Sequence, residues 1–257
     1  MTVSPLENGR PLAIDLFCGL GGWTEGLLAE GFDVIGFDIE RHVYGDQQYP
    51  AQLVLQDVCT IHGSQFKDAS LIVASSPCQA YSYMAMPWSR AKQIANALRG
   101  NGAFPENYTG SRTIAELNTL FDQPARIQRE ASEAAGRWIP MIQENVKGAQ
   151  PWVGNAQWSF GSFYLWGDIP ALMPNTLAGR KNSGGSWFNV GSPGQKVVNR
   201  ITVHDGIKNG SRLFPNDCAD RRGVHRKAAS AQIAKIPFPL ASYIARVYHP
   251  DNSRAVA

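Results

Sequence analysis

The sequence predicts an α/β fold built on a doubly wound, mostly parallel sheet. Three observations carry this. Short apolar runs recur along the chain and end in polar or glycine-bearing turns, as buried parallel strands do. The first run, Leu12–Cys18, passes directly into Gly19, Gly21 and Gly22 and then into a short helical pattern, the strand–turn–helix opening of a nucleotide-binding unit. A later run, Leu71–Ser75, stops at Ser76 and Pro77, because proline has no N–H for a ladder and restricts the residue before it. Cys78 therefore stands just past the carboxyl end of a strand, the edge at which open α/β sheets bind ligands.

The elements follow in order. Residues 1–11 read as a loose leader, without the basic-then-apolar pattern of a signal peptide. The helix after the glycine turn ends near Gly31, where the second strand, Asp33–Ile39, begins; it carries Asp38 at its end, with Glu40 just beyond. An acid at that position is where such folds hold ribose hydroxyls. Leu53–Val58 is the third strand, carrying Asp57, and Leu71–Ser75 the fourth. Residues 83–112 are poorly periodic and predict a mobile active-site loop offering Trp88, Arg90 and Lys92 to a ligand. From Thr113 to about Ala135, Leu117, Leu120, Phe121 and Ile127 share a helical face, with Pro124 expected to break the helix and start a second segment. Trp138–Gln143 predicts a strand that delivers Glu144, Asn145 and Val146, and Phe160–Trp166 predicts another. Apolar periodicity fades from Pro174 to Lys227, returns at Ala228, and Leu240–Tyr248 closes the core. The expected organisation is one domain from 1–173 and 228–257, with a small lobe at 174–227.

At 257 residues and 44% hydrophobic, the chain can bury one large core. No apolar run is long enough to span a bilayer, so a soluble cytoplasmic protein is expected, with no membrane partner. Four scattered cysteines (Cys18, Cys59, Cys78, Cys218) form no Cys-x-x-Cys pair, and neither a metal site nor a disulfide framework is indicated. The net charge of +3 is unevenly placed. Residues 1–60 carry two basic side chains against nine acidic ones, and residues 180–227 carry ten basic ones against three acidic. Such a basic segment fits a polyanion such as nucleic acid, and equally a solvated, loop-rich face. Cys78, followed by polar Gln79 and Ser82, is a candidate nucleophile; taken alone, a buried inert thiol explains it better.

Several stretches together resemble the cytosine-5 DNA methyltransferase family: Asp15-Leu-Phe-Cys-Gly-Leu-Gly-Gly, Pro77-Cys-Gln, Leu120-Phe-Asp-Gln-Pro-Ala-Arg-Ile, Glu144-Asn-Val-Lys and Pro237-Phe-Pro-Leu-Ala-Ser-Tyr-Ile-Ala. The resemblance covers roughly residues 12–173 and 228–248 and not the basic lobe. It implies a SAM-dependent methyltransferase domain with an inserted target-recognition lobe, acting on DNA as a monomer. S-adenosylmethionine would lie over the strand ends, with Asp15 and Ile39 in the donor site, Phe17 against the adenine, Asp57 and Val58 beside it, and Asp38 on the ribose. Gly19, Gly21 and Gly22 would leave room for the methionine end, Leu120 and Pro77 would line the pocket, and Lys235 would stand near the donor. Cys78 would be the nucleophile and Glu144 its partner, with Gln79, Ser82, Arg180, Arg200, Arg221 and Arg222 toward DNA.

The chain departs from the family pattern at three places. Ser76-Pro77 stands where relatives have two prolines, Ser159 and Gly161 where they have arginines, and Ile233-Ala234, with Lys235 next, where they have Gly-Asn. The second departure motivates an alternative, a weak or inactive SAM- and DNA-binding module. The third motivates a donor carrying a carboxylate, which Lys235 would neutralise and which would make 5-carboxymethylcytosine. An RNA substrate and a cysteine hydrolase are further alternatives, the last lacking a recognisable histidine partner.

Overall fold

A computed structural model describes residues 9–44, 46–81, 87–173, 231 and 234–253. The expected leader before residue 9 and the expected basic lobe at 174–227 lie outside the described residues. Among the described residues seven strands form one sheet: β1 (Leu12–Leu16), β2 (Asp33–Asp38), β5 (Gln52–Leu55), β6 (Ala69–Ser75), β7 (Met141–Asn145), β8 (Trp158–Phe160) and β9 (Phe163–Gly167). A two-residue hairpin, β3 (Val43–Tyr44) with β4 (Gln47–Gln48), stands apart. The sheet order is β5-β2-β1-β6-β7-β9-β8. The first five of these pair in parallel, and β9 and β8 close the edge antiparallel. β1 is the middle strand of the parallel five, and the order reverses between β1 and β6, which opens a crevice above their carboxyl ends.

The sheet is covered on both faces because its strands alternate two apolar sets. Ala13, Val34, Val73 and Ile142 face α1 (Gly22–Ala29) and the closing helix α5 (Phe238–Tyr248), packing on Trp23, Leu27, Leu240 and Ile244. Leu12, Ile14, Leu16, Phe37 and Ile72 face the long helix α3 (Ile114–Ala135), packing on Ile127 and Ala131 with Ile61 and Phe66. α1 and α5 touch at Gly26, where a Cβ would stand 2.4 Å from the Ala241 Cβ. Beyond the sheet edge, Asp168 accepts from Gln128 Nε2 at 2.7 Å, Met141 N at 2.8 Å and Trp138 Nε1 at 3.1 Å, fastening α3 and β7 to the end of β9. Among the described residues no helix is long and apolar enough to cross a membrane.

Several expectations are corrected. Part of the 83–112 segment, expected as a loop, is an amphipathic helix, α2 (Trp88–Leu98), seated on Ala91, Ile94 and Ala97. α3 is one helix across Pro124, held by the burial of Leu117, Phe121, Ile127 and Ala131 on either side of the proline. The single strand expected at 160–166 is the β8–β9 hairpin, turned by Gly161 at φ 63°. The expected 53–58 strand ends at Leu55, and Asp57 instead caps a 3-10 turn by accepting from Cys59 N at 2.9 Å. The strand expected from Trp138 begins at Met141, so Glu144 lies within β7 rather than beyond it.

Candidate functional site

A cleft of about 370 Å³ opens over the carboxyl ends of β1, β2, β6 and β7. Its first wall is the turn after β1. Phe17 adopts φ 55°, an uncommon backbone for a side chain this size, and Gly19 follows at φ 52°. The turn is tied to the end of β2, because Gly19 N donates to Asp38 Oδ2 at 2.9 Å. Asp38 Oδ1 accepts from Glu40 N at 3.2 Å and faces His42 Nε2 at 3.5 Å. Ile39, Asp57 and Val58 continue this wall, and Leu120 comes from α3.

The opposite wall holds the nucleophile candidate. β6 ends at Ser75, whose Oγ accepts from Trp23 Nε1 at 3.1 Å. Pro77, Cys78 and Gln79 follow and line the cleft, and Cys78 is partly exposed. The Cys78 carbonyl accepts from Tyr81 N at 3.0 Å, which makes the segment a turn. Glu144, 7% exposed, stands on β7 directly opposite Ser75 and lines the same cleft.

Lys235 closes the rim before α5. Its Nζ pairs with Glu25 Oε1 at 2.5 Å. The approach of this segment to α1 is close enough that a Cβ on Gly22 would stand 2.4 Å from Ile236 N.

The structure therefore gathers Phe17, Gly19, Gly22, Asp38, Ile39, Asp57, Val58, Pro77, Cys78, Gln79, Leu120, Glu144 and Lys235 around one cleft. Two expected residues stand behind it. Gly21, at φ 76°, packs against Tyr49 and Pro50, and a Cβ there would lie 2.5 Å from Pro50 Cδ. Asp15 is buried beneath the turn, where Oδ2 accepts from Thr24 Oγ1 at 2.6 Å and Thr24 in turn meets Tyr49 OH at 2.7 Å. Burial away from water pushes the Asp15 carboxyl up to about 8; the Thr24 hydrogen bond opposes this and the Asp38 charge adds to it. Burial also raises the Cys18 thiol, with Asp15 and Asp38 adding to the effect. Ser82, Arg180, Arg200, Arg221 and Arg222 lie outside the described residues.

Sequence reasoning missed His42, Trp23 and Gln143. His42 lines the cleft four residues after Asp38, and only its spacing could have pointed to it. Among the described residues no group of three or more His, Cys, Asp or Glu is placed to hold a metal ion. Cys18, Cys59 and Cys78 are not joined in disulfides.

Comparison with known proteins gives the following. Residues 12–92 match the model of the C-5 cytosine-specific DNA methylase family. No curated protein sequence matches the chain. Among solved structures, the chain is similar to a putative DNA modification methyltransferase encoded within an E. coli prophage, at 21% identity and TM-score 0.32 over 55% of this chain and 33% of that one. It is similar to the Entamoeba histolytica methyltransferase EhMeth at 15% identity and TM-score 0.35, over 57% of this chain and 41% of that one. It is similar to the S. pombe Dnmt2 methyltransferase at 16% identity and TM-score 0.28, over 56% and 37%. The matched part thus spans well under half the length of each of these structures. The family match covers the segment from β1 to the first turn of α2, which carries the glycine turn, Asp38, Asp57 and Cys78, and this segment is similar to the C-5 cytosine-specific DNA methylase family.

Proposed function

We propose that the chain transfers a methyl group from S-adenosylmethionine to carbon-5 of a cytosine extruded from DNA. The observation that carries this reading is the meeting of Cys78 and Glu144, from the paired strand ends of β6 and β7, in the cleft whose other wall is the Gly19–Asp38 corner. That corner fits a nucleoside: a carboxylate oriented by two backbone amides, beside the apolar side chains of Phe17, Ile39 and Leu120. When bound, S-adenosylmethionine supplies a methyl group activated on a sulfonium.

The protein's residues do the rest. Carbon-5 of cytosine is a poor nucleophile, and the Cys78 thiolate corrects this by forming a bond to carbon-6, which makes carbon-5 enamine-like. Glu144 hydrogen-bonds ring nitrogen-3 and the exocyclic amine, stabilising the charge that addition develops. Once carbon-5 carries the methyl group, its proton leaves to water, the carbon-6–sulfur bond breaks, and Cys78 returns as thiolate. The base must leave the duplex to reach this cleft. The 174–227 segment is proposed as the target-recognition lobe, with Arg180, Arg200, Arg221 and Arg222 on DNA phosphates.

A second reading, a SAM- and DNA-binding module without turnover, is favoured by Ser159 and Gly161, which stand on β8 and in its turn where the resemblance expects arginines. Transfer of tritium from labelled S-adenosylmethionine to duplex DNA, with tRNA in parallel, tests both. Label on DNA cytosine supports the proposal, label on tRNA alone moves the substrate to RNA, and no label with intact donor binding supports the module. On donor choice, Lys235 already carries the Glu25 carboxylate as its countercharge, so the unmodified methyl donor is proposed over a carboxylated one.

A further inference from the structure

The turn bearing Cys78 is held at both ends by buried polar contacts. Ser76, 4% exposed, is the first residue past β6, and two side chains of β7 grip it. Gln143, 2% exposed, donates through Nε2 to Ser76 Oγ at 2.7 Å. Asn145, fully buried, donates through Nδ2 to the Ser76 carbonyl at 3.0 Å. Residues 143 and 145 share one side of the strand by its two-residue period, and Glu144 between them lines the cleft. At the other end, Tyr81 OH donates toward Leu117 O at 3.2 Å and Asn118 Oδ1 at 3.0 Å on α3.

Gln143 does more than hold Ser76. The same Nε2 donates to the Phe121 carbonyl at 2.8 Å, inside α3 and one turn before Pro124. Pro124 has no N–H for the Leu120 carbonyl, so the helix ladder is broken one residue before the Phe121 carbonyl that Gln143 meets. One buried amide thus joins β7, the end of β6 and the helix that brings Leu120 to the cleft.

We propose that Gln143 is a positioning residue for Cys78, fixing through the Ser76 hydroxyl the direction in which the 76–81 turn leaves β6. The proposal rests on the reading of Cys78 as the nucleophile. A buried polar bridge that only stabilised the fold would affect every function alike, whereas a positioning bridge acts on the thiol and spares donor binding.

The test uses the full chain with Gln143→Met, Ser76→Ala and both together. Three quantities are measured: adduct formation on duplex DNA bearing 5-fluorocytosine, iodoacetamide alkylation of Cys78 located by peptide mass, and S-adenosylmethionine affinity by calorimetry. Gln143→Met is expected to slow adduct formation about tenfold and to change the Cys78 alkylation rate severalfold, with donor affinity within about twofold. Ser76→Ala, the smaller change, is expected to do the same, and the double variant to be no worse than either single, as partners in one bond should be. Wild-type adduct and alkylation rates in both single variants, additive losses, or an equal loss of donor affinity would overturn the proposal. If the wild-type chain forms no adduct, the nucleophile reading fails, and the alkylation rates alone decide whether Gln143 positions the thiol.

Discussion

Gly19 donates its backbone amide to Asp38 Oδ2 at 2.9 Å, which fastens the turn after the first strand to the end of the second. The bond orients the carboxylate proposed to take the donor's ribose. Asp38→Ala should weaken S-adenosylmethionine binding by at least ~10-fold, the scale of a hydrogen bond to a charged group. Calorimetry checks it, and unchanged affinity would remove Asp38 from the donor site.

Glu144→Gln should lower the transfer rate by at least ~10²-fold, the usual scale for a positioned acid–base group. Single-turnover transfer separates chemistry from binding. A loss confined to DNA affinity would make Glu144 structural.

Lys235 and Glu25 are ion-paired across 210 residues of chain. Unpaired, an ammonium about 5 Å from a sulfonium would cost about 3 kcal/mol at an effective dielectric of 20. With Glu25 as countercharge, mass spectrometry of nucleosides should find 5-methylcytosine with the ordinary donor and no preference for a carboxylated one. Dominant 5-carboxymethylcytosine, lost in Lys235→Ala, would reverse that donor choice.

Asp15 gives a pH signature. Its folded-state carboxyl titrates near 8 because burial disfavours the charge, against an ordinary value of 3.8. The unfolded chain therefore releases this proton first. Its contribution to stability is full below about 4 and is lost as pH rises toward about 8, on the order of 1 kcal/mol per pH unit. Asp15→Asn should flatten that fall in denaturant titrations from pH 5 to 8. Parallel curves for the two proteins would contradict it.

The basic segment predicts salt-dependent DNA binding, with log affinity falling linearly in log salt. Charge reversal at Arg221 and Arg222 should flatten the slope. Salt-independent binding would end the recognition role of 174–227.

The sheet was legible where strands are continuously apolar: β1, β2 and β6 each announce themselves, and the glycine turn after β1, Asp38 at the end of β2 and Cys78 beyond β6 point to the cleft. α2 was hidden because its buried stripe is mostly alanine, Ala91 and Ala97 about Ile94, too weak a signal among so many polar residues. β8 and β9 merged into one aromatic run because the Gly161–Ser162 turn between them is only two residues. Asp15 and Gly21 illustrate a different limit. Sequence order placed them beside the cleft, but packing against Thr24, Tyr49 and Pro50 set them behind it. Gln143 carried no signal, because its partners are 67 and 22 positions away.

Cys78 is proposed to bond to carbon-6 of the target cytosine. The most direct measurement of that bond is covalent capture on duplex DNA bearing 5-fluorocytosine in the presence of S-adenosylmethionine, followed by peptide mapping. Fluorine at carbon-5 cannot leave as the proton does, so the adduct should persist and map to Cys78. Cys78→Ala should form none while binding S-adenosylmethionine nearly as tightly as wild type. Undiminished methyl transfer by Cys78→Ala, or capture through another residue, would contradict the account.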